Sequence, residues 1–212
     1  LAGHSDAGKT SMAEAMLFKA GLTDRLGKVQ DGNTVCDFDP EEIKRKVTIM
    51  TSVAPLVWKD TKINAVDVPG LFDFEAGVHE GVRACENVMM ILSGRSGLSV
   101  GVEKAYKLLK KDGKSGLFFI NKLDKEDTDY YKVLEQLRDA FGSAVCPIVV
   151  PHMAGDKPDC YVDLIAMKAY TYDKSGKASE TSVPSDMDCE EMIAQISEVI
   201  AETDEELMEK YF

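Results

Sequence analysis

The chain has 212 residues, 44% hydrophobic and 29% charged, the make-up of an ordinary soluble globular protein with enough length to bury a core in one or two domains. Its longest strongly apolar runs, such as Val88-Met89-Met90-Ile91-Leu92, are far too short to span a membrane, and no signal peptide is visible, so a cytoplasmic location and no membrane partner are expected. The net charge of −12 sits mostly in residues 151–212, with 15 acidic against 5 basic side chains, so that end should repel nucleic acid, excluding sequence-specific DNA binding, and attract basic partners.

In chain order, Gly3-His4-Ser5-Asp6-Ala7-Gly8-Lys9-Thr10 places glycines, a lysine and a hydroxyl at the G-x(4)-G-K-[ST] spacing. Successive backbone N–H groups of such a loop form a concave anion site, and the helix that follows adds its positive N-terminal end. Residues 3–11, through Ser11, are therefore the predicted phosphate loop. Lys9 reaches the β- and γ-phosphates, and the Thr10 hydroxyl ligates Mg²⁺. Ser11 to Phe18 contains good helix formers, as the loop requires behind it. Only Leu1 and Ala2 precede the loop, so the chain is expected to begin inside the strand that feeds it.

Residues 21–46 have weak periodicity and mix Gly27, Gly32, Asn33 and Pro40 with charges, which predicts a long, mobile connection. Val47 to Trp58 and Ile63 to Val68 are β-rich and flank a polar Lys59-Asp60-Thr61-Lys62, the pattern of an antiparallel hairpin. Thr48, at the end of the mobile connection, is placed to bond Mg²⁺ only while a γ-phosphate is present, so that the loop orders with the triphosphate. Asp67-Val68-Pro69-Gly70 then supplies a Mg²⁺-side carboxylate in Asp67 and a γ-phosphate-sensing N–H in Gly70.

Helical stretches near Glu75 to Ala84, Val100 to Lys111 and Thr128 to Phe141 alternate with short apolar strands at Val88 to Leu92, Leu117 to Ile120 and Ile148 to Val150. Buried parallel strands separated by helices predict an α/β fold, a P-loop three-layer sandwich with a mostly parallel sheet and ligand sites at the carboxyl ends of its strands. Asn121-Lys122-Leu123-Asp124 follows the Leu117 strand and reads as a guanine site. Asp124 accepts two hydrogen bonds from the ring N–H and exocyclic amine, a donor pair adenine lacks. Asn121 tethers the loops, and the Lys122 stem covers the base. Asp124 thereby argues against a P-loop ATPase.

From about Pro151 the rhythm changes. Tyr161 to Tyr172 predicts a strand pair, followed by a turn at Asp173-Lys174-Ser175-Gly176-Lys177. A helix burying Met192, Ile193, Ile196, Val199 and Ile200 comes next, and then a short helix capped by Thr203 with Glu206. The five cysteines, at 36, 85, 146, 160 and 189, include no C-x-x-C pair and are read as thiols in a reducing compartment, without a disulfide framework or a zinc site.

GHSDAGKT, RKVTI, DVPG and NKLD together resemble the nucleotide motifs of the translational GTPases, elongation factor G in particular, in order and spacing. The stretch DLIAMKAYTY and the ending DEELMEKYF are similar to the α+β insertion domain (G′) of that factor. The resemblance implies a GTP-binding core at residues 1–155, lacking its last strand, helix and final guanine loop, and part of a G′-like module at 156–212. It implies GTP and GDP as ligands with Mg²⁺, ribosome-coupled GTP hydrolysis driving a translocation-type step, and catalytic roles for Lys9, Thr48 and Gly70. It also implies contact of the insertion domain with the ribosomal stalk protein, here through an acidic helix carrying Glu190, Glu191, Glu198 and Glu202. Two departures accompany it. Leu71 stands where hydrolysing members carry a water-positioning histidine, which opens the alternatives of a GTP-dependent ribosome-binding switch with little hydrolysis or a ribosome-protection factor. Lys46 stands where glycine is usual.

Overall fold

The computed structural model describes residues 1–155, 157–173 and 176–211. They form two compact units, Leu1–Lys122 and Leu123–Phe212.

In the first unit, helix α1 (Lys9–Lys19) follows the glycine loop and buries Ala13 and Leu17 against strands β1 (Ser52–Trp58) and β2 (Thr61–Asp67). The two strands form the expected antiparallel hairpin, with Ser52 opposite Asp67 and Trp58 opposite Thr61. Lys59 and Asp60 both take positive φ, the two-residue geometry whose twist matches that of the flanking strands. Along β1 the burial alternates: Ala54 and Leu56 face α1 and Cys36, whereas Val53 and Val57 face outward.

Strand β3 (Asn87–Ser93) pairs in parallel with β4 (Ser115–Asn121). Met90, Ile91 and Leu92 are consecutive and all essentially inaccessible, so β3 is covered on both faces. Ala2 pairs in parallel with Met90, and Leu1 bonds Val66 and Val68, so residues 1–2 run between β2 and β3. β4 departs from the expected buried strand: Leu117 and Phe119 are 45% and 38% exposed. Helix α3 (Glu75–Ala84) packs on α4 (Val100–Lys111), which buries Val102, Ala105 and Leu109 toward β3 and β4.

The connection between α1 and β1 is more organised than its composition predicts. It contains a turn of 3₁₀ helix at Val29–Asp31 and a six-residue helix, α2 (Pro40–Arg45), started by Pro40 and a reciprocal capping box between Asp39 and Glu42. Two buried carboxylates hold it. Glu14 accepts the backbone N–H groups of Val35 (2.6 Å) and Cys36 (3.2 Å), and Glu42 accepts those of Asp39 (3.1 Å), Ile49 (2.9 Å) and Met50 (3.0 Å). Replacing Glu42 by Ala removes the acceptor of three backbone N–H groups, those of half-buried Asp39 and Ile49 and of exposed Met50, the last of which water can serve instead. We expect a loss of about 2–3 kcal/mol, measured by urea unfolding. Lys46 closes α2 in the left-handed conformation (φ 56°), which glycine adopts freely; a side chain at that position costs about 1 kcal/mol.

In the second unit, α5 (Tyr130–Phe141) begins at Asp129, whose carboxylate accepts the Lys132 N–H. Strands β5 (Val149–Ala154), β6 (Lys157–Asp163), β7 (Lys168–Tyr172) and β8 (Ala178–Thr181) form an antiparallel meander in that order. The 161–172 strand pair is thus present. The 148–150 segment is not a further parallel strand: Val149 and Val150 open β5, which pairs antiparallel with β6. Lys174 and Ser175 of the predicted turn, and Phe212 of the DEELMEKYF ending, lie outside the described residues.

Helix α6 (Cys189–Ala201) buries Cys189, Ile196 and Ala201; Met192, Ile193 and Val199 are half-buried, and Ile200, expected inside, is 47% exposed. Glu190, Glu191, Glu198 and Glu202 are all exposed. Helix α7 (Glu205–Tyr211) is capped by Asp204 in place of Thr203. The Asp204 carboxylate accepts the N–H groups of Glu206 and Leu207, while the Thr203 hydroxyl donates back to Ile200 O at 2.6 Å and is spent.

Candidate functional site

The glycine loop owes its path to two positions. Gly3 (φ 140°) lies where a Cβ would strike the Ile91 carbonyl, and Gly8 (φ 102°) where one would strike the Asn121 amide. Gly8 is also the left-handed N-cap of α1, with no side-chain cap bond, so the first N–H groups of the helix remain available to an anion. Asn121 Nδ2 donates to Ala7 O at 3.0 Å, the tether expected of it. Lys122 takes positive φ and pairs with Asp6 at 3.0 Å. His4 is exposed, its ring 5.7 Å from that of Phe72, and Ser11 is exposed on α1. Asp124 lies in the second unit, where its exposed carboxylate pairs with Lys125 at 3.3 Å.

Lys9 is only 5% exposed, and its ammonium donates to His4 O at 3.0 Å across the loop. Burial pulls its pKa down, against the opposing pull of Asp67, Asp37 and Asp6. Gly70 sits directly opposite. A Cβ there would lie on Lys9 Nζ and 2.7 Å from the Ser5 backbone nitrogen, so no other residue fits that close to the loop.

Beneath the loop, α1, β2 and the connection before β1 bring four oxygen-bearing side chains together. The Thr10 hydroxyl donates to Asp67 Oδ2 at 2.7 Å, the Thr48 hydroxyl donates to Asp37 Oδ1 at 2.8 Å, and the two hydroxyl oxygens lie 3.0 Å apart. Each hydroxyl carries one hydrogen, so with both carboxylates ionised two hydrogens serve three contacts, and one contact is an oxygen facing an oxygen without a proton between them. Asp67 Oδ1 and Asp37 Oδ2 are, in addition, buried atoms without a hydrogen-bond partner among the described residues. Burial pushes the Asp67 carboxyl up to about 6, opposed by the Thr10 bond and by Lys9; burial also raises Asp37.

Excess lone pairs, unpaired carboxylate oxygens and an all-oxygen donor set are what a hard divalent cation satisfies. The arrangement fits Mg²⁺, with Thr10, Thr48 and Asp67 as the residues to hold it and Asp37 fixing Thr48. Asp37 is the member that sequence reasoning missed. It stands in a segment without periodicity, and only its long-range bond to Thr48 marks it.

A sequence model described as the elongation factor Tu GTP binding domain matches residues 1–209. Elongation factor G 1 of Syntrophomonas wolfei subsp. wolfei is 34% identical over 218 aligned residues, which cover 99% of this chain and 32% of that protein. A crystal structure of a Thermus thermophilus protein superimposes with a TM-score of 0.90 at 35% identity, again over 99% of this chain and 32% of the other. The chain therefore spans about a third of the length of the relatives it matches.

Proposed function

This chain belongs to the family of elongation factor Tu GTP-binding domains, and from that premise we propose that it binds GTP and GDP with Mg²⁺ and couples the nucleotide state to ribosome binding in an elongation factor G-like protein. The observation that carries the reading is the proton-deficient cluster of Thr10, Thr48, Asp67 and Asp37 under the glycine loop.

Each residue then has a physical task. Residues 3–11 wrap the phosphates with backbone N–H groups, and Lys9, now bonded to His4 O, turns its charge to the β- and γ-phosphates. Thr10, Thr48 and Asp67 would hold Mg²⁺, which would supply positive charge to offset that of the phosphates. Thr48 and the Gly70 N–H respond to the γ-phosphate, and because Thr48 is joined to Asp37 and its neighbours to Glu42, loss of the phosphate is felt along the segment from Asp37 to Met50. Asn121 holds the loop, Lys122 covers the base, and Asp124 selects guanine.

The reaction is Mg²⁺-dependent GTP hydrolysis coupled to a translocation-type step on the ribosome; Leu71, following Gly70, has no group to hydrogen-bond water, and that feature favours the alternative of a GTP-dependent ribosome-binding switch with little hydrolysis, or a protection-type factor. The first unit carries the P-loop sandwich, and because β5 belongs to the antiparallel β5–β8 sheet, the G′-like module begins at β5, ahead of the residue 156 expected from the sequence; its exposed Glu190, Glu191, Glu198 and Glu202 suit a basic stalk-protein partner. Cytoplasmic placement accords with this role; no helix among the described residues is long and apolar enough to cross a membrane.

Cosedimentation of the whole protein with ribosomes tests the coupling. Retention with a non-hydrolysable GTP analogue and release with GDP is the expected result; equal retention with both would refute it.

A further inference from the structure

The second unit holds a cluster that the nucleotide site does not use. His152 on β5 is the cross-strand partner of Cys160 on β6, and the next pair is Met153 with Pro158, so the register slips by one residue and Asp159 is left over as a bulge. In a regular strand Asp159 and Cys160 would face opposite sides. A bulge puts both opposite a single partner and re-aims one of them. As a result a ring nitrogen of His152, a carboxylate oxygen of Asp159 and the sulfur of Cys160 lie within 4.8 Å of one another. His152 Nδ1 is 2.7 Å from Asp159 Oδ1, and Nε2 is 3.2 Å from Asp186 Oδ2, in the segment before α6.

The geometry points to a zinc-class divalent metal site formed by His152 Nδ1, Asp159 and Cys160, with Asp186 holding the imidazole from behind. One imidazole, one carboxylate and one thiolate are a mixed donor set suited to Zn²⁺ and its spectroscopic substitute Co²⁺, and unsuited to Mg²⁺ or Ca²⁺. Ligand atoms around a tetrahedral zinc are separated by roughly 3–4 Å, given metal–ligand bonds of about 2.0–2.3 Å, so small side-chain rotations close the cluster on an ion. A hydrogen bond from the non-ligating ring nitrogen to a carboxylate is the usual means of fixing tautomer and ring orientation at such sites, and Asp186 supplies it. Three protein ligands leave a position for water. Binding converts the Cys160 thiol to a metal-bound thiolate and releases its proton to solvent. Spacing rules for cysteine do not find this site because strand pairing and a bulge assemble it.

Titration of the unmodified chain with Co²⁺, followed by visible and near-ultraviolet absorption, tests the assignment. One equivalent should bind with a thiolate-to-cobalt charge-transfer band that Zn²⁺ abolishes. Cys160→Ser should remove the band, Cys146→Ser should leave it, and Asp186→Asn should weaken Zn²⁺ binding by about 10- to 100-fold. Should Cys160→Ser fail to fold, His152→Gln, at a half-buried position and with the thiol retained, takes its place: folded by circular dichroism, it should lose Zn²⁺ in equilibrium dialysis. Absence of the band from the unmodified chain, its survival in Cys160→Ser, or unchanged Zn²⁺ binding by folded His152→Gln would each overturn the site.

Discussion

Leu71→His should raise ribosome-stimulated single-turnover GTP hydrolysis by about 10²–10⁴-fold, the range over which a positioned acid–base side chain accelerates proton-coupled steps. Leu71 follows Gly70, the residue that fits against Lys9 and the Ser5 backbone, and it is extended (φ −84°, ψ 141°) before the 3₁₀ turn at Phe72–Phe74. A histidine there continues the same backbone without strain, one residue beyond Gly70. Phe72, next in the chain, already packs near the His4 ring at 5.7 Å and beneath Lys104 Nζ at 4.7 Å. Those contacts hold the segment in place, so the substitution adds a polar group to an ordered element. Under the proposed function, position 71 is where a group that orients water is expected, and leucine offers only bulk. An unchanged rate in the histidine variant would mean that some other group positions the water.

Asp67→Asn should separate stability from function. The Asp67 carboxyl has a pKa of about 6 in the folded chain against an ordinary value of 3.8, chiefly because it is desolvated. A raised carboxyl pKa means that the folded state holds its proton to higher pH than the unfolded state. Stability therefore falls as pH rises from about 4 to about 6, and the deficit persists above that. Two pKa units correspond to a deficit on the order of 3 kcal/mol at pH 7. The Asn side chain keeps an acceptor for the Thr10 hydroxyl without the charge. In chelator-containing buffer at pH 7 the variant should be more stable than the unmodified chain, with the gain vanishing near pH 4. In Mg²⁺ its GTP affinity should lose its metal dependence. The opposite signs identify Asp67 as a residue kept for its ligand at the expense of the fold. Equal stability at pH 7 would show that the carboxyl is not desolvated as described.

Much of this architecture is legible in the sequence where local pattern and long-range packing agree. The helices at 75–84 and 100–111 fall where their apolar periodicity puts them, and β1 and β2 meet at a Lys-Asp turn flanked by alternating side chains. The motif residues Thr10, Thr48, Asp67, Gly70 and Asn121 are drawn into one neighbourhood of the first unit.

What escaped reading was either too short or too distant. Helix α2 has six residues and no apolar stripe, so only its Asp39-Pro40-Glu41-Glu42 start signal betrays it, and the charges around it mimic a loop. Glu14, Glu42 and Asp37 look like surface acids in sequence. Their burial follows from accepting hydrogen bonds from residues 7 to 22 positions away. Thr203 lost its cap to Asp204 because its hydroxyl is taken by Ile200 O, a competition between two local bonds that spacing alone does not rank. The antiparallel pairing of β5 with β6 is a long-range choice that its apolar run does not encode, since that run looks the same in either sheet type.

Competition binding with a fluorescent GTP analogue probes the Mg²⁺-dependent guanine-nucleotide site. GTP and GDP should displace the analogue, ATP should do so about 10⁴-fold less well because adenine cannot satisfy Asp124, chelating Mg²⁺ should weaken GTP, and Asp124→Ala should erase the preference for guanine. Equal competition by ATP, or GTP binding indifferent both to Mg²⁺ and to Asp124→Ala, would contradict it.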